Sequence, residues 1–192
     1  VHRPTSTPAG DAGGDTPTTD VRLDGICDLL TMHMPADDPL AHYPAAMRHD
    51  GLSGRRLAGF LSGSIDAVLR VGTVAHPRFL VVDYKTNWIG GSWADSALSA
   101  EDYSTGAMTD AMVHSHYPLQ ALLYQVALHR FLRWRLPGYD PERHLGGALY
   151  LFVRGMCGPD TPLAGAAPCG VFQWHPSARL VSDLSDMLAG GP

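Results

Sequence analysis

Two aspartates and a lysine lie within twenty residues of one another, in the stretch LSGSIDAVLRVGTVAHPRFLVVDYKTNWIG from Leu61 to Gly90. The stretch reads as two strands of a hairpin, with a turn of Gly, Thr, His and Pro composition around Gly72 to Arg78. On the first strand Ser64, Asp66 and Val68 alternate with Ile65, Ala67 and Leu69. On the second, Leu80, Val82 and Tyr84 alternate with Val81, Asp83 and Lys85. Successive side chains point to opposite faces, so Asp83 and Lys85 share one. Carboxylates and an amine gathered there are costly to bury unless they are used. A hard divalent cation takes oxygen ligands, and a lysine beside it can handle water or phosphate. So short a pattern also suits a solvated ion pair on an exposed sheet face. Against that, Leu80, Val81 and Val82 read as a fully buried strand, which leaves the following acid little route to solvent.

The elements that must position these residues follow from apolar spacing. Residues 1 to 20 are Pro, Gly, Thr and Asp with almost no apolar content, and are expected to be a flexible linker. From 21 to 192 the chain reads as one domain. A helix is expected over Asp20 to Met34, with Asp20 as its cap, Leu23, Ile26, Cys27, Leu30 and Met34 inside, and Pro35 ending it. A short helix follows around Pro44 to Arg48, with Met32, Met34 and Met47 as core filler. Arg55 and Arg56 read as a solvated loop pair. Ser99 to Ser115 has helical character, with Glu101 and Asp102 suited to its positive end. Tyr117 to Leu136 is the clearest helix. Pro118 lies in its first turn, Pro137-Gly138 ends it, and the apolar face runs through Leu119, Leu122, Leu123, Val126, Ala127, Arg130 and Phe131. Gln120 and Tyr124 stand at i and i+4 and project together. Leu145 to Arg154 reads as a second buried strand, Gly158 to Ala167 as a loop, Gly170 to Trp174 as a short edge strand and Ser177 to Leu188 as a closing amphipathic helix. Trp88 serves either as a core plug or as a platform for a base.

Composition bounds the function. A chain of 192 residues carries one domain with a real core. Its formal charge of −5 is not that of a free-standing nucleic-acid binder, although the segment HRFLRWR, His129 to Arg135, is locally basic. Cys27, Cys157 and Cys169 show no zinc spacing and no disulfide framework, so a reducing cytoplasm is the simplest compartment. No apolar run reaches transmembrane length, and no Gly-rich phosphate loop is present. The first residue is Val, and the chain reads as a piece of a longer protein.

The segments GSIDAVLR, LVVDYKTNWIG, HYPLQALLYQVALHRFLRWRLPGYD and HLGGALYLFVRGM, in that order, closely resemble the C-terminal nuclease domain of the RecB subunit of bacterial RecBCD helicase-nucleases. The resemblance spans roughly residues 21 to 190. It implies an α/β, restriction-endonuclease-like core of the PD-(D/E)xK type, a mixed central sheet flanked by helices. It also implies magnesium-dependent hydrolysis of unwound single-stranded DNA in double-strand break repair and recombination. Asp66 and Asp83 would be metal ligands, with the backbone carbonyl of Tyr84 as a third oxygen. Lys85 would orient or deprotonate water, or stabilise charge on the phosphate; Gln120 and Tyr124 would contact the strand or support the site. RecC and RecD are the implied partner subunits, and RecA a further one. The chain departs from the family in two places. The upstream helix with a GTxxH-like pattern, whose histidine is a further metal ligand, is not found, since His2, His33, His42 and His49 lack that context. Leu122 replaces the second Gln of a QxQxxxY pattern. A second reading therefore stands beside the first: a catalytically incomplete module of the same fold that docks RecC or RecA.

Overall fold

The computed structural model describes residues 19–59, 61–90, 97–165 and 167–190. The linker expected over residues 1 to 20 lies outside these except for Thr19 and Asp20, which begin a strand. That strand, β1 (Thr19–Arg22), pairs antiparallel with β2 (Arg56–Gly59). Helix α1 (Leu23–His33) therefore starts later than its apolar spacing suggests. Its cap residue is Arg22, and the Leu23 N–H donates to the Arg55 carbonyl at 2.9 Å. The neighbouring strand segment thus satisfies a donor that Asp20 was expected to cap. Arg56, read as a loop residue, belongs to β2 for the same reason.

After α2 (Tyr43–His49) come β3 (Ala67–Gly72) and β4 (Pro77–Lys85), the hairpin expected from sequence. A short 3-10 turn at Ala100–Tyr103 leads into α3 (Thr105–His114), and Asp102 caps that turn by accepting from the Ser99 N–H at 2.7 Å. Then follow α4 (Tyr117–Arg135), the single turn α5 (Pro141–His144) and β5 (Leu145–Phe152). The loop expected over 158 to 167 contains a 3-10 turn and a two-residue ladder of β6 (Leu163–Ala164) with β7 (Ala167–Pro168). The chain closes with β8 (Val171–Trp174) and α6 (Ala178–Met187).

The main sheet has the order β3-β4-β5-β8, in which only β4 and β5 run parallel. This is a mixed α/β architecture, a four-stranded mixed sheet flanked by helices, as a restriction-endonuclease-like core requires. Register determines what lies beneath the helices. Val81, Ala148 and Trp174 lie side by side, and so do Asp83, Tyr150 and Phe172. All six are buried, and α4 packs across β4 and β5 on this face. Leu69, Val71, Leu80 and Tyr84 occupy the other face and remain partly or well exposed. Asp83 therefore enters the core as part of the helix-covered row.

Between Phe79 and Val81 the β4–β5 register shifts by one residue, which Gly146 and Gly147 accommodate. Gly147 has φ +82°, and a Cβ there would lie 2.4 Å from the Trp174 carbonyl oxygen, so no other residue fits easily. Its own carbonyl accepts from Gln125 Nε2 at 2.7 Å.

That bond shows how α4 departs from the expected apolar face. The helix is covered on two sides, by the sheet and by α6. It buries Ala121, Leu122, Gln125, Val126, Leu128, His129 and Leu132, while Phe131 is 55% exposed. His129 Nδ1 meets Tyr139 OH at 2.9 Å, Gln125 is tied through its Nε2 while its Oε1 has no partner among the described residues, and the more exposed Arg130 donates to Ser185 Oγ and the Ser185 carbonyl at 3.0 and 2.6 Å. Apolar spacing misses such positions because a satisfied polar group is not costly to bury. Met32 is likewise exposed rather than core filler, whereas Met47 is fully buried.

Burial holds the His129 imidazole below the usual histidine pKa, with Arg133 adding to the effect. The folded protein then keeps His129 neutral where the unfolded chain takes up a proton, below about pH 6.5. Its contribution to stability is present above that pH and is lost as pH falls. Urea unfolding at pH 7.5 and 5.5 is expected to show a smaller pH-dependent loss for His129→Gln than for the unaltered protein.

Candidate active site

β4 delivers both central groups. Asp83 is 4% exposed, and its Oδ2 lies 2.7 Å from Lys85 Nζ. The ammonium also donates to Gln120 Oε1 at 2.9 Å and sits 3.8 Å from the centre of the Tyr117 ring. Carboxylate, amide and aromatic face thus hold one ammonium between β4 and the first turns of α4. The Asp83 Oδ2 contact is an ion pair without an aligned hydrogen bond, so this buried oxygen keeps an unsatisfied lone pair.

Asp66 directly precedes the first β3–β4 pair, Ala67 with Val82, which brings it up opposite Asp83. Unlike Asp83 it is exposed, and its Oδ2 accepts from the Tyr84 N–H at 2.9 Å. That bond orients one carboxylate oxygen and closes the hairpin at its open end. The three residues expected from sequence are therefore together, at the C-terminal end of β4.

Gln120 and Tyr124 do act as a pair: Gln120 Nε2 donates to Tyr124 OH at 3.0 Å. Gln120 reaches Lys85 itself, so it holds the amine in place. Tyr124 also walls a groove of about 660 Å³, lined by Leu61, Ile65, Leu123 and Ala127 among others, beside the segment that carries Asp66.

Sequence reasoning missed Tyr117, Tyr150 and Asn87. The Tyr150 hydroxyl donates to Gln120 Oε1 and to the Tyr117 carbonyl, both at 3.2 Å, and its ring lies 5.3 Å from Lys85 Nζ. The two tyrosine rings stack with centroids 5.8 Å apart. Burial raises the Tyr150 pKa far above its usual value, and the Asp83 carboxylate adds to it, so the hydroxyl remains a donor. Asn87 Oδ1 accepts from Tyr117 OH at 3.1 Å, and its carbonyl accepts from Tyr103 OH at 2.7 Å. These bonds fasten the segment leaving β4 to α4. Tyr150 was within reach of inference, since it is the register partner of Asp83 on the neighbouring strand. Tyr117 lies one helical turn before Gln120. Trp88 is only partly buried.

Comparison with known proteins bears on the family. No protein-family profile matches the chain. The chain is 56% identical over 167 residues to the RecBCD enzyme subunit RecB of Mycolicibacterium smegmatis, covering 87% of this chain and 15% of that protein. It is 52% identical over 182 residues to RecB of Mycobacterium tuberculosis, covering 95% of this chain and 16% of that protein. The chain belongs to the RecB family. The Escherichia coli RecB subunit, more distant, is 38% identical over 135 residues, covering 70% of this chain and 10% of that subunit. The chain thus spans 10–16% of the length of these RecB relatives, a share consistent with one domain.

The donor set in this RecB-family domain suits a hard cation. Asp83 keeps an unsatisfied buried oxygen, and Asp66 brings a second carboxylate to the same hairpin end. Among the described residues, no three His, Cys, Asp or Glu side chains gather round one point.

The buried pair makes a testable demand. Lys85→Met leaves the Asp83 carboxylate buried without its counter-charge, and is expected to cost about 3 kcal/mol or more in unfolding free energy. Asp83→Leu combined with Lys85→Met is expected to recover much of that loss in urea denaturation. Equal losses in the single and double variants would contradict a coupled pair.

Proposed function

We propose that this domain hydrolyses phosphodiester bonds in single-stranded DNA, with Mg2+ as its cofactor, as the nuclease part of a RecBCD-type enzyme in break repair and recombination. The observation that carries this reading is the placement of Asp83 and Lys85, buried side by side with Asp66 opposite, at one end of β4. Structural burial alone gives no reason to hold such groups at a sheet end. In the reaction a water oxygen bonds to phosphorus while one P–O ester bond breaks. One product keeps the phosphate, and the other takes a proton as a hydroxyl.

Asp66 and Asp83, with the Tyr84 carbonyl, are the groups that would hold the cation. A bound Mg2+ would polarise the phosphate and make water a better nucleophile. Lys85 brings a positive charge to the scissile phosphate and lowers the cost of charge building on its oxygens. Gln120, Tyr117 and Tyr150 keep the amine from turning away. Tyr124, at the edge of the groove, is placed to contact the strand. RecC and RecD would be partner subunits and RecA a further contact. A motor that delivers the strand would offset the domain's net negative charge through effective concentration. The exposed free thiol of Cys157 suits a reducing cytoplasm.

A second reading has one observation in its favour. Among the described residues the side chains at the site include two carboxylates, Asp66 and Asp83, and no group of three metal-ligating side chains, which fits an incomplete module that docks RecC or RecA. Single-stranded DNA cleavage with magnesium separates the two. We expect cleavage by a form extended upstream, and loss of at least a hundredfold in Lys85→Ala and in Asp83→Ala of that form. Folded proteins that cut in no form would favour the docking module.

A further inference from the structure

A second polar site lies at the other end of β4. His76, Pro77 and Arg78, at the start of the strand, and Arg143 and His144, at the end of α5, line one pocket of about 190 Å³. Pro77 to Lys85 is eight strand steps, so this pocket is about 26 Å from the Lys85 end. It is separate from the site described above.

Apart from Pro77, its lining is cationic or cation-capable, in a chain whose formal charge is −5. Arg78 and Arg143, both exposed, have no side-chain partner among the described residues. Two guanidinium groups on one small pocket repel each other unless an anion lies between them. The nearby acids do not line the pocket, and Asp140 Oδ1 accepts from the Glu142 N–H.

The pocket is also built. His144 is 7% exposed, and its Nδ1 is held by the Asp140 backbone, 2.8 Å from the carbonyl oxygen and 3.0 Å from the amide nitrogen. Its ring packs against Tyr139, 5.6 Å between centroids. Nε2 is left as its free polar atom on a pocket-lining residue. On the other wall, the His76 N–H donates to Thr73 Oγ1 at 3.1 Å, which fixes the β3–β4 turn. The volume is below the roughly 300–1,000 Å³ of sites for drug-sized ligands, so it suits a small group rather than a whole nucleoside. Planar guanidinium forks match a tetrahedral oxyanion in two-pronged fashion.

We propose that this pocket is a phosphate-binding site, in which Arg78 and Arg143 bracket one phosphate group and His76 and His144 complete its walls. The group can belong to a nucleic-acid strand or to a free phosphate compound; the chemistry recognised is the same. The site stands whether or not the Asp83–Lys85 end cuts DNA.

Titration of the protein with inorganic phosphate, followed through assigned histidine side-chain NMR signals, tests this. We expect saturable shifts of the His76 and His144 signals that sodium chloride at equal ionic strength does not produce. Arg78→Gln/Arg143→Gln should weaken binding at least tenfold with an unchanged melting temperature, Arg78→Lys should retain part of it, and Lys85→Ala should leave it intact. An oligothymidylate that displaces phosphate would identify the source as a nucleic-acid strand. Failure to displace it would identify a free phosphate compound, and both outcomes support the site. Absence of saturation, or saturation unchanged in the double variant, would overturn it, as would a response abolished by Lys85→Ala in protein shown to be folded.

Discussion

The Asp83–Lys85 ion pair is the constraint on which the arrangement depends. Burying both charges has a solvation cost of several kcal/mol per ion, which the pair recovers only with good geometry and further partners. The fold supplies them from two elements, α4 and β5. Gln120 accepts from the ammonium, the Tyr117 ring lies beneath it, and Tyr150 donates to the same Gln120 oxygen. α4 thus packs on the sheet by apolar contact along most of its length and by a polar network at its first turns. Such a network sets where the helix sits along β4 more strictly than interchangeable leucines would.

The surrounding architecture serves the same end. The parallel β4–β5 pair puts Tyr150 beside Asp83, and the shift at Gly146-Gly147 keeps the later pairs in that alignment. The hairpin returns Asp66 to the level of Asp83, where its bond to the Tyr84 N–H holds it. Asn87, gripped by Tyr103 and Tyr117, fixes the chain as it leaves the sheet. These contacts leave Lys85 little freedom to choose another orientation. Preorganisation of this kind is what a charge used in chemistry requires.

Much of this was legible in the amino-acid sequence, because alternation is a strong signal on strands. Asp83 and Lys85 had to share a face, and the apolar run before them implied burial. Gln120 and Tyr124 were separated by one helical turn, and they do bond to each other. Tyr117 and Tyr150 were hidden for a different reason. Each reads as an ordinary aromatic in its own element, and only the β4–β5 register and the position of α4 bring them to Lys85. Apolar spacing misses Gln125 and His129 on the buried face of α4, where tertiary hydrogen bonds accompany burial, and it wrongly places the exposed Phe131 there. β1 was misread because Asp20 resembles a helix cap, while the pairing with β2 that overrides it is a contact between residues almost forty positions apart.

The proposed function requires Asp66 and Asp83 to form a cation site beside the Lys85 amine. Binding of Mn2+ as a paramagnetic substitute, measured by electron paramagnetic resonance, reads it without relying on cleavage. Saturable binding to the unaltered domain, weakened at least tenfold by Asp83→Asn and by Asp66→Asn in folded protein, is the expected result. Binding that is absent, or that neither substitution changes, would contradict the account.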